Sequence, residues 1–446
     1  MASPIRGVDL ISSMPDVILH HILSFTPIKL AIITSALSRR WRHVWCETPR
    51  LDLYGSYGAL AINQTLNSYR AQKITSFDLF MYECVPEPQL DSWIEFAMSH
   101  NVEKMSLSLR GFVSSESYRF PDSFYLSSSL EELWLDFVMI PRCTVSWKSL
   151  RRLTLYYSSQ SLADILSGCP VLETLKLFYC GGGAQRLDLS KSPSLKTLEI
   201  IRRQYDTPGS MEIVAPHVRF LELRSTKEPC TLVDASSLIE ANLDIDGYDN
   251  RDIALEADDC LPLQNMVLKM LAKLRNVEEL TFGTTFLQIL SVAEFCGVHF
   301  PKLKVQTLTL VTMFAKSVIP GITRLLQNSP GLRKLKAYPT YPDGIEDCYL
   351  DRYLDSQGLN PGQCWRSKLY AAFPTKSDYH SNRFLTPKLV ASFIDVVLKK
   401  VKTLETLTVV LEHIRERGGA KWFEKLLRTR HPTLSNDNNV TILIRE

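Results

Sequence analysis

One pattern recurs along most of the chain and limits what it can fold into. The segments LSGCPVLETLKL (from Leu166), LSKSPSLKTLEI (from Leu189) and LQNSPGLRKLKA (from Leu326) align without gaps. In each, a proline (Pro170, Pro193, Pro330) stands two residues before a leucine that opens the pattern L-x-x-L-x-L. Looser copies open at Ile74, Val102, Leu130, Leu150, Leu172, Leu195, Val218, Leu238, Val277, Val305, Leu332 and Leu404. The last two apolar positions of each copy alternate with polar ones, so they point to one face of a short strand. So short a strand cannot bury that face alone. Stacked copies make a parallel sheet with a continuous core on one side.

Most steps between copies are 20 to 28 residues, with exceptions of 39 and 72. Steps of roughly 20–29 residues are those of a leucine-rich repeat. The fold class expected is therefore an α/β repeat: an irregular leucine-rich-repeat solenoid, a horseshoe with a parallel concave sheet. Helices between strands are expected at 161–166 and 320–326. The consensus asparagine or cysteine after the strand is mostly missing, and Cys180 fills it once.

Two regions break the rhythm. Residues 339–385 are rich in proline and glycine and hold an acidic, tyrosine-rich stretch from Asp343 to Asp355. They read as an irregular insertion, either a loop or a partner surface. Residues 386–446 read as the last repeat and a C-terminal cap. In them Thr386-Pro387 opens a helix with Leu389, Phe393 and Val396 on one face. The strand 404–410, a helix over 420–430 and a strand over 440–444 follow.

Residues 9–50 have a helical period instead. Ser13-Met-Pro-Asp16 carries helix-start signals. Ile18, Ile22 and Phe25 fall at i, i+4, i+7, and Thr26-Pro27 ends that helix. Leu30, Ile33 and Leu37 mark a second helix, and Leu37, Trp41, Val44 and Trp45 continue the apolar face. Three helices of ~10 residues have too small a core to stand alone. Their surplus apolar face covers either a partner or the end of the solenoid.

The run Met14 to Lys29, with Ala31 to Trp45, resembles an F-box. Its ending T-S-x-L-S-x-R-W-R-x-x-W, Thr34 to Trp45, is similar to that of the plant F-box/leucine-rich-repeat family. The phrases from Ser146 and Gly168, and the order F-box (9–50) then repeats (51–338), resemble that family too. Met14 and Val17 depart from it, standing where the family has leucine and glutamate, and the C-terminal third shows no clear match to its FBD module. The resemblance implies the substrate-recognition subunit of a Skp–cullin–F-box ubiquitin ligase. It maps the adaptor-binding residues onto Met14, Pro15, Ile18, Ile22, Leu23, Leu37 and Trp41. A Skp-type adaptor, a cullin reached through it and an unknown protein target are the partners implied. The alternative is a protein-binding scaffold whose F-box is a structural cap.

The residues flanking the strand leucines point away from the core. Those picked as target-binding candidates are Trp134, Arg152, Tyr156, Lys176, Phe178 and Arg224, since aromatic and arginine side chains on a rigid surface make binding hot spots. Trp134, Tyr156 and Phe178 fall on consecutive repeats and form either one patch or a surface packed under a neighbouring insertion. Glu222 and Arg224 are placed to pair with each other.

Composition excludes several classes. The 446 residues are 45% apolar and 22% charged, with a net charge of +3. That argues against disorder and against a dedicated nucleic-acid binder. No apolar run approaches the ~20 residues of a membrane span, and MASPIRGVDL lacks an apolar signal core. The ten cysteines form no C-x-x-C pair, so reduced, mostly buried cysteines in the cytoplasm or nucleus are expected, and no metal. There is no G-x-S-x-G, H-E-x-x-H or phosphate-binding G-x-x-x-x-G-K-[ST]. Gly181 to Gly183 reads as a turn, and His20 and His21 project about 100° apart on a helix. A non-catalytic adaptor without cofactor is expected.

Overall fold

The computed structural model describes residues 11, 14–54, 58–112, 118–137, 144–157, 162–180, 186–202, 210–225, 230–245, 256–340, 344–367, 370–381, 387–410 and 441–445. The expected helix over 420–430, Thr386 and the Gly181–Gly183 turn lie outside them. The chain divides into two compact units, 1–183 and 184–446.

The first unit begins with α1 (Asp16–Leu23), α2 (Ile28–Ile33) and α3 (Trp41–Val44). Pro15 and Pro27 stand immediately before α1 and α2, where a missing N–H costs nothing. Each helix turns a narrow stripe inward: Leu19 and Leu23, then Ile28 and Ala31, then Trp41 and Val44. Arg40 clasps the bundle from outside, donating from Nε to Asp16 Oδ1 at 3.0 Å and from a terminal nitrogen to the Met14 carbonyl.

Next come β1 (Arg50–Tyr54), α4 (Gly58–Ser68), β2 (Ser76–Met81), α5 (Glu87–Ser99), β3 (Lys104–Leu109) and α6 (Asp122–Tyr125). β4 (Glu132–Asp136), β5 (Arg152–Tyr156), α7 (Leu162–Ser167) and β6 (Thr174–Phe178) complete the unit. The six strands are parallel and consecutive. Their register stacks Leu51, Phe77, Met105, Leu133, Leu153 and Leu175 in one buried column. Leu53, Leu79, Leu107, Leu135, Leu155 and Leu177 form the second. Each such side chain contributes roughly 1.5–3 kcal/mol by burial, so the repeat motif is the core. The strand β1 carries the alternation in Leu51 and Leu53 but lacks the leading apolar residue, with Thr48 three residues ahead, and the repeat pattern did not reach it.

There is no linker between the helices and the strands. Arg70 N donates to the Cys46 carbonyl at 2.8 Å, and Tyr69 Oη donates to the Thr48 carbonyl at 2.5 Å. The cysteine expected to close a repeat does so: Cys180 Sγ donates to the Leu155 carbonyl at 3.3 Å.

In the second unit β7 (Arg186–Asp188), β8 (Thr197–Ile201), β9 (Met211–Val214), β10 (Phe220–Ser225), β11 (Cys230–Asp234) and β12 (Glu240–Ile245) come first. They are followed by α8 (Cys260–Lys273), β13 (Glu279–Gly283), α9 (Thr284–Phe295), β14 (Thr307–Val311), α10 (Ile319–Gln327) and β15 (Lys334–Tyr338). Then come α11 (Asp347–Ser356), α12 (Pro361–Cys364), α13 (Lys376–Ser381), α14 (Pro387–Lys400), β16 (Thr406–Val410) and β17 (Thr441–Arg445). The strands β8, β10, β12 and β13 through β17 are parallel neighbours in that order. The three strands β7, β9 and β11 make a second parallel sheet where helices are expected between repeats. These connecting segments are three to five residues long, too short for a stable helix, and pair through buried Leu187, Ile213 and Leu232.

The insertion 339–385 is corrected from irregular chain to helices α11, α12 and α13. The acidic stretch forms α11 because Leu350, Tyr353 and Leu354 bury one face at helical spacing. A fully buried Gln288 on α9 holds this segment. Its Oε1 accepts from Ile345 N at 2.7 Å, and its Nε2 donates to the Ile345 carbonyl at 2.9 Å. Gly344 precedes it at φ +87°, where any Cβ would collide with Gln288 Oε1. Buried Lys376 adds a bond from Nζ to the Gly344 carbonyl at 2.6 Å and an ion pair with Glu346 at 2.9 Å. Among the described residues no helix is long and apolar enough to cross a membrane. The nine described cysteines form no disulfide with one another, and of them Cys46, Cys169, Cys230 and Cys260 are buried, fewer than expected. Desolvation pushes the Cys169 and Cys260 thiols up to about 12.

Candidate functional site

Two surfaces of the first unit stand out. The first lies on α1, α2 and the turn after them. Val17 and Phe25 are each 76% exposed and Leu37 is 70% exposed, with Ile18, Ile22, Leu30 and Ile33 also open. Seven large apolar side chains on so short a segment form a patch rather than scattered exposure. Of the expected adaptor residues, Pro15, Ile18, Ile22 and Leu37 are exposed and Met14 is half-buried. Leu23 and Trp41 differ from the open positions expected: at 4% and 5% exposure they pack inward. The α1 helix is apolar on both sides, so periodicity finds its stripes but not which of them turns inward. Val17, Phe25, Leu30 and Ile33 belong to the open face instead. His20 is half-buried, 4.0 Å from Glu47, and His21 meets the Phe25 ring edge-on at 5.0 Å.

The second surface is the outer side of β1–β6. Tyr54 stacks on Phe80 with centroids 5.2 Å apart, and Phe80 reaches Trp134 at 5.9 Å. The intervening strand β3 presents only Ser106 and Ser108 there, so the indole crosses it. Trp134 meets Tyr156 at 5.3 Å, and Tyr156 stacks on Phe178 at 4.5 Å. Trp134, Tyr156 and Phe178 thus form one patch, in a row of five rings. Burial pushes the Tyr156 hydroxyl up from the ordinary tyrosine range.

A second row borders the first. Phe137, Tyr157 and Tyr179 end β4, β5 and β6 with φ of 55°, 51° and 55°. Phe137 stacks on Tyr157 at 4.3 Å, and Tyr157 lies 5.2 Å from Tyr179. Sequence reading missed these three. Their signal is an aromatic residue seven positions after the opening leucines Leu130, Leu150 and Leu172.

Charges on this face are layered. Asp136 is buried and accepts from Ser108 Oγ at 2.8 Å and from Arg110 Nε at 3.1 Å. Arg110 also lies over the Phe137 ring at 5.4 Å. Arg50 pairs with Asp78 at 3.2 Å. Arg152 pairs with Glu132 at 2.9 Å, which raises its already high pKa. Lys176 is half-buried on β6. Arg224 belongs to the second unit, and its expected pairing with Glu222 is corrected: its Nε lies 3.8 Å from Asp244, directly across in register on β12. Asp259 accepts from Glu256 N at 3.0 Å and caps the turn into α8. Among the described residues no group of three or more histidine, cysteine or acidic side chains could hold a metal ion.

A small helical unit with an open apolar face, built directly onto parallel leucine-rich repeats, defines a binding adaptor of the F-box and repeat class. Comparison with known proteins agrees. The F-box domain model matches residues 11–52, and the model for LRR repeats of FBD-associated F-box protein At5g56370 matches residues 90–214. The chain is 52% identical to the putative F-box/LRR-repeat protein At5g02700 of Arabidopsis thaliana, covering 99% of this chain and 94% of that one. It is 46% identical to F-box/LRR-repeat protein At5g02910 of the same plant, covering 99% and 96%. The chain belongs to the F-box/LRR-repeat protein family.

Proposed function

We propose that this protein is the substrate-recognition subunit of a Skp–cullin–F-box ubiquitin ligase. The open face of α1, α2 and the following turn docks on the Skp-type adaptor, a cullin is reached through it, and the repeats hold a protein target. The proposal places this work in the cytoplasm or nucleus and assigns the transfer chemistry to partner enzymes. The observation carrying it is the apolar patch of Val17, Ile18, Ile22, Phe25, Leu30, Ile33 and Leu37, which the fold leaves uncovered although Leu19, Leu23 and Trp41 bury beside it. The competing reading, a scaffold with the helices as a cap, draws on the bond from Ile28 N to Asp52 Oδ1, which builds α2 onto β1. A cap, however, needs no apolar face on its far side.

The test is a pull-down of purified Skp adaptor by the full chain and by the variant Ile33→Asp/Leu37→Asp. Both positions are exposed, so the variant keeps its thermal melt. Retention by wild type and loss by the variant support the ligase reading. Wild type that retains no adaptor overturns it and leaves the scaffold.

A further inference from the structure

The outer face of β1–β6 presents rings and cations and buries three of its acids, Asp52, Asp78 and Asp136, while Glu132 stays half-exposed. Arg110 is 53% exposed and Asp136 beneath it 1%, and Arg50 is 50% exposed over an Asp78 at 12%. Asp52 is buried on the same face. Arg152 and Lys104 share the single carboxylate of Glu132, at 2.9 and 3.7 Å. Formal charge on the face is nearly balanced, yet what a partner meets first is guanidinium and aromatic surface. A guanidinium carries five N–H donors, and one carboxylate occupies only part of that fork. The paired acids, buried Asp136 under Arg110 and half-exposed Glu132 beside Arg152, therefore fix each arginine in place and leave donors for an incoming group, at less entropic loss than a free side chain would suffer.

The rings supply the apolar half of the site. The row from Tyr54 to Phe178 crosses all six strands in steps of 4.5 to 5.9 Å. At ~3.3 Å per residue it accommodates roughly six residues of extended chain. The second row is held at a cost. Phe137, Tyr157 and Tyr179 all take left-handed backbone, which bulky L-residues avoid. Such positions persist where surrounding structure over-determines them, and they cluster at binding sites. Three in succession set their rings beside the main row.

We propose that this aromatic and cationic face receives an extended, acidic segment of the target protein, its apolar side chains on the rings of Trp134, Tyr156 and Phe178 and its carboxylates on Arg110 and Arg152. The inference deepens the ligase reading by naming the class of target, but the site stands whether or not the helices bind an adaptor. A protein segment fits better than a nucleic acid. A phosphate backbone carries a charge at every step and is held by a dense basic field, whereas this face offers a few acid-paired guanidinium forks set around apolar rings, which suit isolated carboxylates on a segment that also brings apolar side chains.

The test pans a phage-displayed library of random twelve-residue peptides on the immobilised full chain, without adaptor. The strongest clone is then made as a labelled peptide and titrated by fluorescence anisotropy. The wild type is compared with Arg110→Gln/Arg152→Gln, which keeps donors but removes two charges, and with Tyr156→Ala. Thermal melts verify that both variants are folded. The expected clones are rich in aspartate, glutamate and large apolar residues. Their peptide binds each variant at least tenfold more weakly, and an equal concentration of oligothymidine does not displace it. Selection of basic clones, absence of any enrichment, or equal binding to the folded variants overturns the proposal. Displacement by oligothymidine overturns it in favour of a single-strand platform. Failure of adaptor capture leaves this result untouched, and failure here leaves adaptor capture untouched.

Discussion

The Asp52 carboxylate accepts a hydrogen bond from the Ile28 backbone N–H at 2.6 Å. A side chain of the first strand thus satisfies a donor at the start of the second F-box helix, a group no intrahelical partner can reach. Replacing Asp52 with alanine orphans that donor inside the protein. The expected cost is about 1–3 kcal/mol in denaturant unfolding. Asparagine keeps an acceptor oxygen, and Asp52→Asn is expected to stay well above the alanine variant.

The same residue predicts a pH dependence. Desolvation outweighs the Ile28 bond and the nearby Arg50, so the folded-state pKa of Asp52 stands above its ordinary value. A raised carboxyl contributes stability below the unfolded pKa and loses it as pH rises through the folded one. Asp52→Asn should therefore gain on wild type between pH 4 and pH 7, with the two converging under acid conditions. Paired urea melts across that range check the sign.

Leu23 and Leu37 should separate fold from docking. Leu23→Ala removes a buried side chain and is expected to cost about 2–5 kcal/mol. Leu37→Ala changes an open position and should fall within about 0.5 kcal/mol of wild type, while weakening adaptor capture.

The aromatic row should be energetically coupled. Tyr156→Phe keeps every ring and is expected to melt close to wild type. In a double-mutant cycle, Tyr156→Ala and Phe178→Ala should show a coupling of roughly 0.5–1.5 kcal/mol, the range for a stacked pair.

Gln288→Leu should release the inserted helices. Ile345 is fully buried, and both its N–H and carbonyl lose their partner. Each orphaned group costs roughly 1–3 kcal/mol. Faster hydrogen exchange at Ile345 and earlier proteolysis within 344–381 than in wild type are the expected outcomes.

The repeats were legible because burial and spacing are the same fact in this fold. All twelve opening positions, from Ile74 to Leu404, are buried. The connecting strands β7, β9 and β11 were not legible, since three to five residues carry too little periodicity. The insertion misled for the opposite reason: its prolines and glycines punctuate the ends of α11 and α12, and dense punctuation reads as loop. The F-box face was half legible. Helical spacing found Ile18, Ile22 and Leu37, but Leu23 and Trp41 carry the same apolar signal while facing inward. The outer rings Trp134, Tyr156 and Phe178 followed from strand alternation. The bordering ring row did not, because Phe137, Tyr157 and Tyr179 leave the strand period at a left-handed residue.

The Cys46 carbonyl that receives Arg70 N, with Thr48 and Tyr69 beside it, welds the helices to the first strand. Between α2 and any ring on the outer face there is only stacked sheet, graduated in rungs of ~4.8 Å. The first unit is thus a ruler with one end marked by the open helical face. Shifting a binding side chain by one repeat moves whatever it holds by one rung. Specificity can therefore drift along the strands while reach changes only in whole steps.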